Sequence, residues 1–497
     1  MTFRPSRTLT PVPQNYSTHQ PIPPRLYRVV ARNNPEVEAV VRSGLLSRGG
    51  EFRGPSMRAL GWRECCGESP SPLAWNLLWS WSAKGHSLGA TEALVWQRAN
   101  HFDNARHLTR KDLLKKRLER CAAVHAGAVK GGSGSPFAVM PTTYVLPGEY
   151  AHFAAEFASS EEAIDEGAAQ GPNLWIIKPI GSSRGRGICL VDEPNEAMHY
   201  HEAAVIQRYV PRPLLLAGYK FDLRLYVLVK SFVPLEAYLH AEGFARVATT
   251  PYTTDASALG DEFVHLTNSS IQMRNLEAGG GGRGGPALDW LISDEVDGGT
   301  KCSLTSLWPL LEQRNGVDRG MAWARAREVV LAALFAVADE VGPQPSSFEL
   351  FGFDVLFDEA LCCWLLEVNA SPAMEMATPL DRKVKSALLR DIVAAVDPPA
   401  FDRAALLRVL KRRAAAAAKG GRSARSEESR EVLQRDMSAI LGGRDPRGDA
   451  DPLARDLGGF ECIAPSKHSA RLERLRSRRR ASSAGTCSRQ GSSRTWA

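Results

Sequence analysis

No run of about 18 apolar residues occurs anywhere in the 497 positions, so no membrane-spanning helix is expected. The opening stretch, MTFRPSRTLTPVPQNYSTHQPIPP, has no compact apolar segment of the secretory kind, which leaves an intracellular protein as the default expectation. Cysteine is sparse: nine residues are scattered, with adjacent pairs only at Cys65–Cys66 and Cys362–Cys363 and no CxxC. That argues against both a disulfide framework and structural zinc. No internal repeat is present, and no nucleic-acid reader module is recognisable.

What is present is a globular composition, 44% hydrophobic and 24% charged, in a chain long enough for two or three domains. The net charge is +7, and from Ser466 onward nine Lys/Arg stand against one Glu, which accounts for that balance. A basic tail favours an acidic partner, or is simply a solvated segment with none.

Composition shifts divide the chain. Residues 1–24 read as a disordered lead. Residues 25–140 form an N-terminal α/β domain, with LYRVV as a strand, PLAWNLLWSW as core and HFDNARHLTRKDLLKKRLERC (101–121) as a helix with Thr109 as its N-cap. Residues 141–243 carry an Ala-rich helix (about 150–168), then strands at NLWIIKP, ICLVD, AVIQRYV, FDLRLYVLV and PLEAYLHAEG. Residues 244–400 contain the low-complexity AGGGGRGG, read as a surface insertion, and a long helix at WARAREVVLAALFAVADEV. A predicted hairpin, FELFGFDVLFD with CCWLLEVNA, and an amphipathic helix, LDRKVKSALLRDIVAAV, complete this part. After residue 401 one more helix is expected, then a basic disordered tail.

Chemistry concentrates in four places. Glu367 and Asn369 are two apart on one predicted strand and share a face, and Asp354 lies on the strand paired with it. Two carboxylates and an amide oxygen in apolar strands need compensation, and a hard divalent cation supplies it. The loop of WIIKPIGSSRGRGI (175–188) follows a buried strand bearing Lys178, but it has neither the Walker spacing nor the Rossmann order. It reads as a glycine lid over phosphates contacted by Arg184 or Arg186, or as a plain turn. In KFDLR, the residues Lys220, Asp222 and Arg224 alternate on one strand face, which is either a polar cleft or a solvated face with internal ion pairs. Gln207 to Val210 suits an adenine slot, and Arg246 is a candidate carboxylate clamp.

Taken in order, WIIKPIGSSRGRGI, VIQRYV, KFDLRLYVLV, GFAR, HLTNSSIQ, FELFGFDVL and WLLEVNASP resemble the tubulin–tyrosine ligase-like family, most closely its polyglutamylase branch. The resemblance spans about residues 141–396. It implies an α/β (α+β) ATP-grasp core and an ATP-dependent ligase that adds glutamate to tubulin tails. It further implies that ATP is bound by Lys178, Arg184, Gly185, Arg186, Gly187, Ile188, Gln207, Arg208, Tyr209, Val210, Lys220, Asp222, Thr267 and Asn268. Mg²⁺ would be held by Asp354, Glu367 and Asn369, and free L-glutamate by Arg246, Ser270, Lys301 and Lys385. Glu367 and Arg224 are the catalytic candidates. The chain departs from the branch at Ser269, where many members have Tyr, and at Ala373, where many have Ser. Tubulin is the implied partner of a monomer or complex subunit, in cytoplasm, cytoskeleton or cilium. Glycine or tyrosine ligation, and an inactive microtubule-binding scaffold, are the alternatives.

Overall fold

The computed structural model describes residues 25–30, 62–64, 75–80, 94–126, 135–169, 171–181, 185–278, 300–418, 427–443 and 457–474. The 1–24 lead, Arg184, the AGGGGRGG insertion apart from Ala278, and the tail beyond 474 lie outside these residues.

A twelve-stranded sheet forms the body of the molecule. Its main path runs Lys301–Ser303, Phe244–Val247, Tyr219–Phe232, Ser347–Phe357, Arg98–Asn100, Leu77–Ser80, Arg25–Val30 and Trp62–Glu64. The N-terminal strands pair in parallel and join the antiparallel centre where Ser347 and Phe348 meet Ala99 and Asn100. The expected hairpin is an antiparallel pair, Ser347–Phe357 with Cys363–Ala370. A separate four-stranded antiparallel sheet has the order Thr143–Leu146, Ala204–Arg208, Trp175–Pro179, Cys189–Val191.

Alternation along the strands decides what faces what. In Tyr219–Phe232, the residues Phe221, Leu223, Leu225, Val227 and Val229 enter one core. That core also holds Phe351, Phe353 and Val355 and the buried Ala/Val/Leu face of the helix Arg319–Val341. This helix is fixed at its ends by Asp318, whose carboxylate accepts from Met321 N at 2.6 Å, and by Gly342 at φ 72°. The opposite strand face carries Tyr226 and Leu228 into a second core against the helix Pro379–Val396. Further along that same face come the charged residues of the site. In the small sheet, Trp175, Ile177 and Ile206 pack on the helix Tyr150–Asp165, leaving Ile176, Lys178 and Gln207 to face the large sheet.

Two expectations give way. Thr109 is not an N-cap: it ends the short helix Arg106–Thr109 and its hydroxyl donates back to Ala105 O at 3.5 Å, while a new helix starts at Lys111. The segment after residue 401 is also more structured than its composition suggested. A second helix, Glu427–Leu441, follows Arg403–Ala418, and the strand Phe460–Ala464 extends the large sheet by pairing with Leu235–His240. Phe460, Ile463, Ala464 and Leu472 are buried there. Such a short apolar run is outweighed by the Arg, Ser and Gly around it.

Candidate active site

A cleft open to solvent lies between the two sheets. Its walls bring together Lys178, Gly185, Arg186, Ile188, Gln207, Arg208, Tyr209, Val210, Lys220, Asp222, Arg246, Thr267, Asn268, Asp354, Glu367 and Asn369. These residues come from sequence positions nearly two hundred apart, and strand register aligns them. Lys301 lies opposite Arg246, and Arg246 opposite Asp222; Arg224 lies opposite Asp354, and Asp354 opposite Glu367. The result is a charged strip across neighbouring strands on one sheet face.

The strip is internally paired. Arg246 donates to both oxygens of Asp222, at 2.7 and 2.5 Å, and reaches Asp354 Oδ2 at 3.0 Å. Arg224 holds Asp354 from its other side with bonds of 2.5 and 3.0 Å. Burial alone would raise the Asp354 carboxyl, but the two guanidiniums overcome this and hold it well below the usual carboxylate range. Burial would likewise weaken the charge on Arg246, yet Asp222 and Asp354 raise its pKa. Gly352 makes room for the arrangement: a Cβ there would lie 3.1 Å from Arg224 Cδ.

Asn369 and Glu367 complete the acidic corner. The Asn369 amide nitrogen stands 3.2 Å from Asp354 Oδ2 and 3.2 Å from Glu367 Oε1, between the two carboxylates. The two carboxylates are hard oxygen ligands that suit Mg²⁺, and Asn369 would join them once its amide turned to present Oδ1 in place of Nδ2. Among the described residues no group of three or more His, Cys, Asp or Glu side chains is arranged to hold an ion. An ion in this corner would therefore rest on two carboxylates, an amide and the oxygens of a phosphate, which fits the way Mg²⁺ binds with nucleotides.

Cations line the rest of the cleft. Lys178 donates to Gln207 Oε1 at 2.6 Å, and Gln207 in turn donates to Thr143 Oγ1 at 2.9 Å. The Gln207 side chain thus tethers Lys178. Burial, opposed by Glu367 and reinforced by Lys111, lowers the Lys178 amine to about 8. Lys220 donates to Tyr209 Oη at 2.7 Å and to His265 O at 2.9 Å. Burial, opposed by Asp222 and reinforced by Lys178, lowers Lys220 to about 7. The glycine loop passes close to this wall: Gly185 has φ 75°, and a Cβ on it would come within 2.3 Å of Ile271.

Several expected residues sit elsewhere. Arg224, Gly187, Ser270, Lys301 and Lys385 are not among the residues lining the cleft. Ser270 is exposed in the first turn of the helix Ser269–Glu277. Lys301 and Lys385 do converge, but on the buried carboxylate of Asp381, at 3.1 and 2.9 Å, with both ammoniums near the Phe244 ring. Burial lowers Lys385, and the two lysines overcome burial to lower Asp381. In this structure their charge serves Asp381, and the fork of Arg246 serves Asp222.

Sequence reasoning missed four participants: Lys111, Thr143, His265 and Gly352. Lys111 pairs with Glu367 Oε2 at 2.9 Å from a helix whose spacing signalled only amphipathicity. His265 accepts from Tyr209 at Nδ1 (3.0 Å), while its Nε2 faces Ala258 O at 3.1 Å. Gly352 interrupts an apolar strand directly before the Phe353–Asp354 pair, a position where glycine signals close approach of another group.

Comparison with known proteins identifies the family. The model for the Tubulin-tyrosine ligase family matches residues 90–405. Tubulin polyglutamylase TTLL5 of Homo sapiens is 36% identical over 338 residues, covering 66% of this chain and 24% of that protein. Probable tubulin polyglutamylase TTLL2 of Homo sapiens is 32% identical over 368 residues, covering 73% of this chain and 55% of that protein. Probable alpha-tubulin polyglutamylase Ttll1 of Tetrahymena thermophila is 31% identical over 368 residues, covering 68% of this chain and 82% of that protein. The chain therefore spans about a quarter of the length of TTLL5 but most of the length of the Tetrahymena relative. The matched segment contains every residue of the cleft described above, and on that ground the chain belongs to the tubulin-tyrosine ligase family.

Proposed function

We propose that this chain is an ATP-dependent carboxylate–amine ligase that adds glutamate, through an isopeptide bond, to glutamate side chains in the acidic tails of tubulin. The observation that carries the reading is the convergence of Lys178, Lys220, Arg246, Asp354, Glu367 and Asn369 on one open cleft. The names of the three relatives, each a tubulin polyglutamylase or probable polyglutamylase, support the choice of acceptor and amino acid.

In this proposal the acceptor carboxylate attacks the γ-phosphorus of ATP, ADP leaves, and an acyl phosphate forms. The amine of free glutamate then attacks the acyl carbon. Phosphate leaves with the bonding pair, and the amine gives up its proton. Asp354, Glu367 and Asn369 would hold Mg²⁺, which would supply positive charge against the transferring phosphoryl group. Lys178 and Lys220 offer donors to the polyphosphate, and the Lys178–Gln207–Thr143 chain holds one of them in place. No side-chain nucleophile is required, because positioning and electrostatics lower the barrier. Arg224 acts through Asp354, which it holds in register with Glu367. The free amino acid is assigned to the end of the strip near Arg246, Lys301 and Lys385, and its binding there requires an exchange of their present acidic partners. Ser270 is exposed and is the weakest member of that set.

Competition among labelled glutamate, glycine and tyrosine for transfer to purified tubulin by the full chain tests this. Glutamate incorporation that depends on Mg-ATP is expected. Preferential transfer of glycine or tyrosine would change the substrate assignment. Absence of any transfer, with Mg-ATP still raising the melting temperature, would favour a silent scaffold. The same reading predicts co-sedimentation with microtubules, consistent with a cytoskeletal setting.

A further inference from the structure

The three carboxylates of the cleft are not held alike. Asp222 and Asp354 are almost fully buried, with side chains 3% and 2% exposed, and each accepts two bonds from one guanidinium. Guanidinium forks of this kind are rigid and planar. Glu367 is 24% exposed, and its basic partner is Lys111, reached by one ion pair of 2.9 Å. A lysine ammonium sits on a flexible four-carbon stem and has no fixed fork. Lys111 nevertheless arrives from a firmly seated element. It opens the helix Lys111–Ala126, whose Leu114 and Leu118 are buried and whose Lys115 is bonded to Glu149 at 2.7 Å. The backbone is anchored while the side-chain tip is exchangeable.

We propose that Lys111 is a displaceable counter-ion: it neutralises Glu367 in the ligand-free cleft and competes there with a divalent cation. The inference rests on the reading of Glu367 as a metal ligand. Both positive groups need the same carboxylate, so occupancy by one disfavours the other. Once released, the Lys111 ammonium remains beside Lys178 on the cleft wall and is offered to an anionic oxygen of a phosphate or of the acceptor carboxylate. Lys111 therefore has opposite effects on two measurable quantities. It weakens binding of the bare cation and supports transfer in the loaded enzyme.

The test is titration of the full chain with Mn²⁺ alone, following the free-ion electron paramagnetic resonance signal, for wild type, K111M, K111Q, K111R and E367Q. K111M and K111Q are expected to bind Mn²⁺ about two- to fivefold more tightly than wild type, the worth of a partly exposed ion pair. K111R keeps the charge and should bind no more tightly than wild type. E367Q should bind more weakly, and ligation by K111M and K111Q with Mg-ATP should fall. Unchanged or weaker Mn²⁺ binding by both uncharged variants, alongside weak binding by E367Q, would overturn the counter-ion role and leave the metal assignment standing. Wild-type Mn²⁺ binding by E367Q would remove the metal assignment, and the counter-ion role with it. Two uncharged replacements of different polarity guard against one of them failing to fold.

Discussion

Asp354 and Glu367 face each other across two paired strands, yet their surroundings make them different to mutate. Asp354 neutralises two buried guanidiniums, so Asp354→Asn leaves uncompensated positive charge inside the sheet. Breaking a buried pair in this way costs about 3–5 kcal/mol, and chemical denaturation should show a loss of that size. Glu367 is partly exposed and pairs with one lysine, so Glu367→Gln should leave the unfolding midpoint nearly unchanged. Under the proposed function its ligation rate should nevertheless fall by about a hundredfold or more, since charge stabilisation by a cation held there would be worth several kcal/mol. A Glu367→Gln protein that ligates at a near-normal rate would refute its role. The buried amines carry a second prediction. With Lys178 lowered to about 8 and Lys220 to about 7, both are partly or mainly neutral at pH 8 in the free protein. A triphosphate favours their charged forms, so ATP binding should take up protons at pH 8. Affinity should be greatest below pH 7 and decline as pH rises through 7 and 8, approaching about tenfold per pH unit for each amine. Calorimetry at pH 8 in two buffers of different ionisation enthalpy checks this, and identical apparent enthalpies would contradict it.

Among the elements, the strands Tyr219–Phe232 and Ser347–Phe357 show how much of the site can be read from sequence. In KFDLRLYVLV the period-two alternation is visible and places Lys220, Asp222 and Arg224 on one face, whereas FELFGFDVLF is buried throughout with Glu349 and Asp354 on opposite faces, and only its pairing opposite Arg224 sets Asp354 beside them. The hairpin is legible for the same reason, because a short polar turn separates two apolar runs. Long-range pairing is not legible. Nothing local tells Lys301 to meet Asp381 eighty residues away, or Lys111 to meet Glu367 from another part of the fold. The resemblance could propose that Lys301 and Lys385 carry charge for a substrate, but only the packing reveals that Asp381 already takes it up. The glycine within Ser347–Phe357 is an intermediate case, since its presence in a strand is odd but its reason is tertiary. Gly352→Val would push against the Arg224 side chain, where a Cβ alone already lies 3.1 Å from Cδ. Overpacking of this kind costs typically about 1–3 kcal/mol. The variant should lose that stability and also lose ligation beyond what the stability change explains, because Arg224 positions Asp354. A variant with normal melting and normal turnover would show that the close approach has no consequence.

At the scale of the whole molecule, the C-terminal region has two parts that composition merges. The family match ends at residue 405, but the chain returns to the large sheet at Phe460–Ala464 and covers the edge of Leu235–His240. Glu461 accepts from Trp323 Nε1 at 2.8 Å and pairs with Arg327 at 2.5 Å, while the Phe460 ring lies edge-on to His240. These contacts tie the strand to the long central helix, and without it an unpaired strand edge would be open to solvent. The Arg-rich residues beyond 474, by contrast, have a charge that suits an acidic partner. Two truncations separate the roles. A chain ending after residue 474 should melt with the full-length protein, keep the proposed ligation on a short acidic peptide, and bind microtubules more weakly at low salt, with a shallower salt dependence than wild type. A chain ending after residue 456 should melt several degrees lower, because burial of each large apolar side chain is worth about 1.5–3 kcal/mol and Phe460, Ile463 and Leu472 would all be lost. Equal microtubule binding by the first truncation and the full chain at low salt would remove the tail from the binding surface. Equal melting of the second would mean that the returning strand rests on the sheet without holding it.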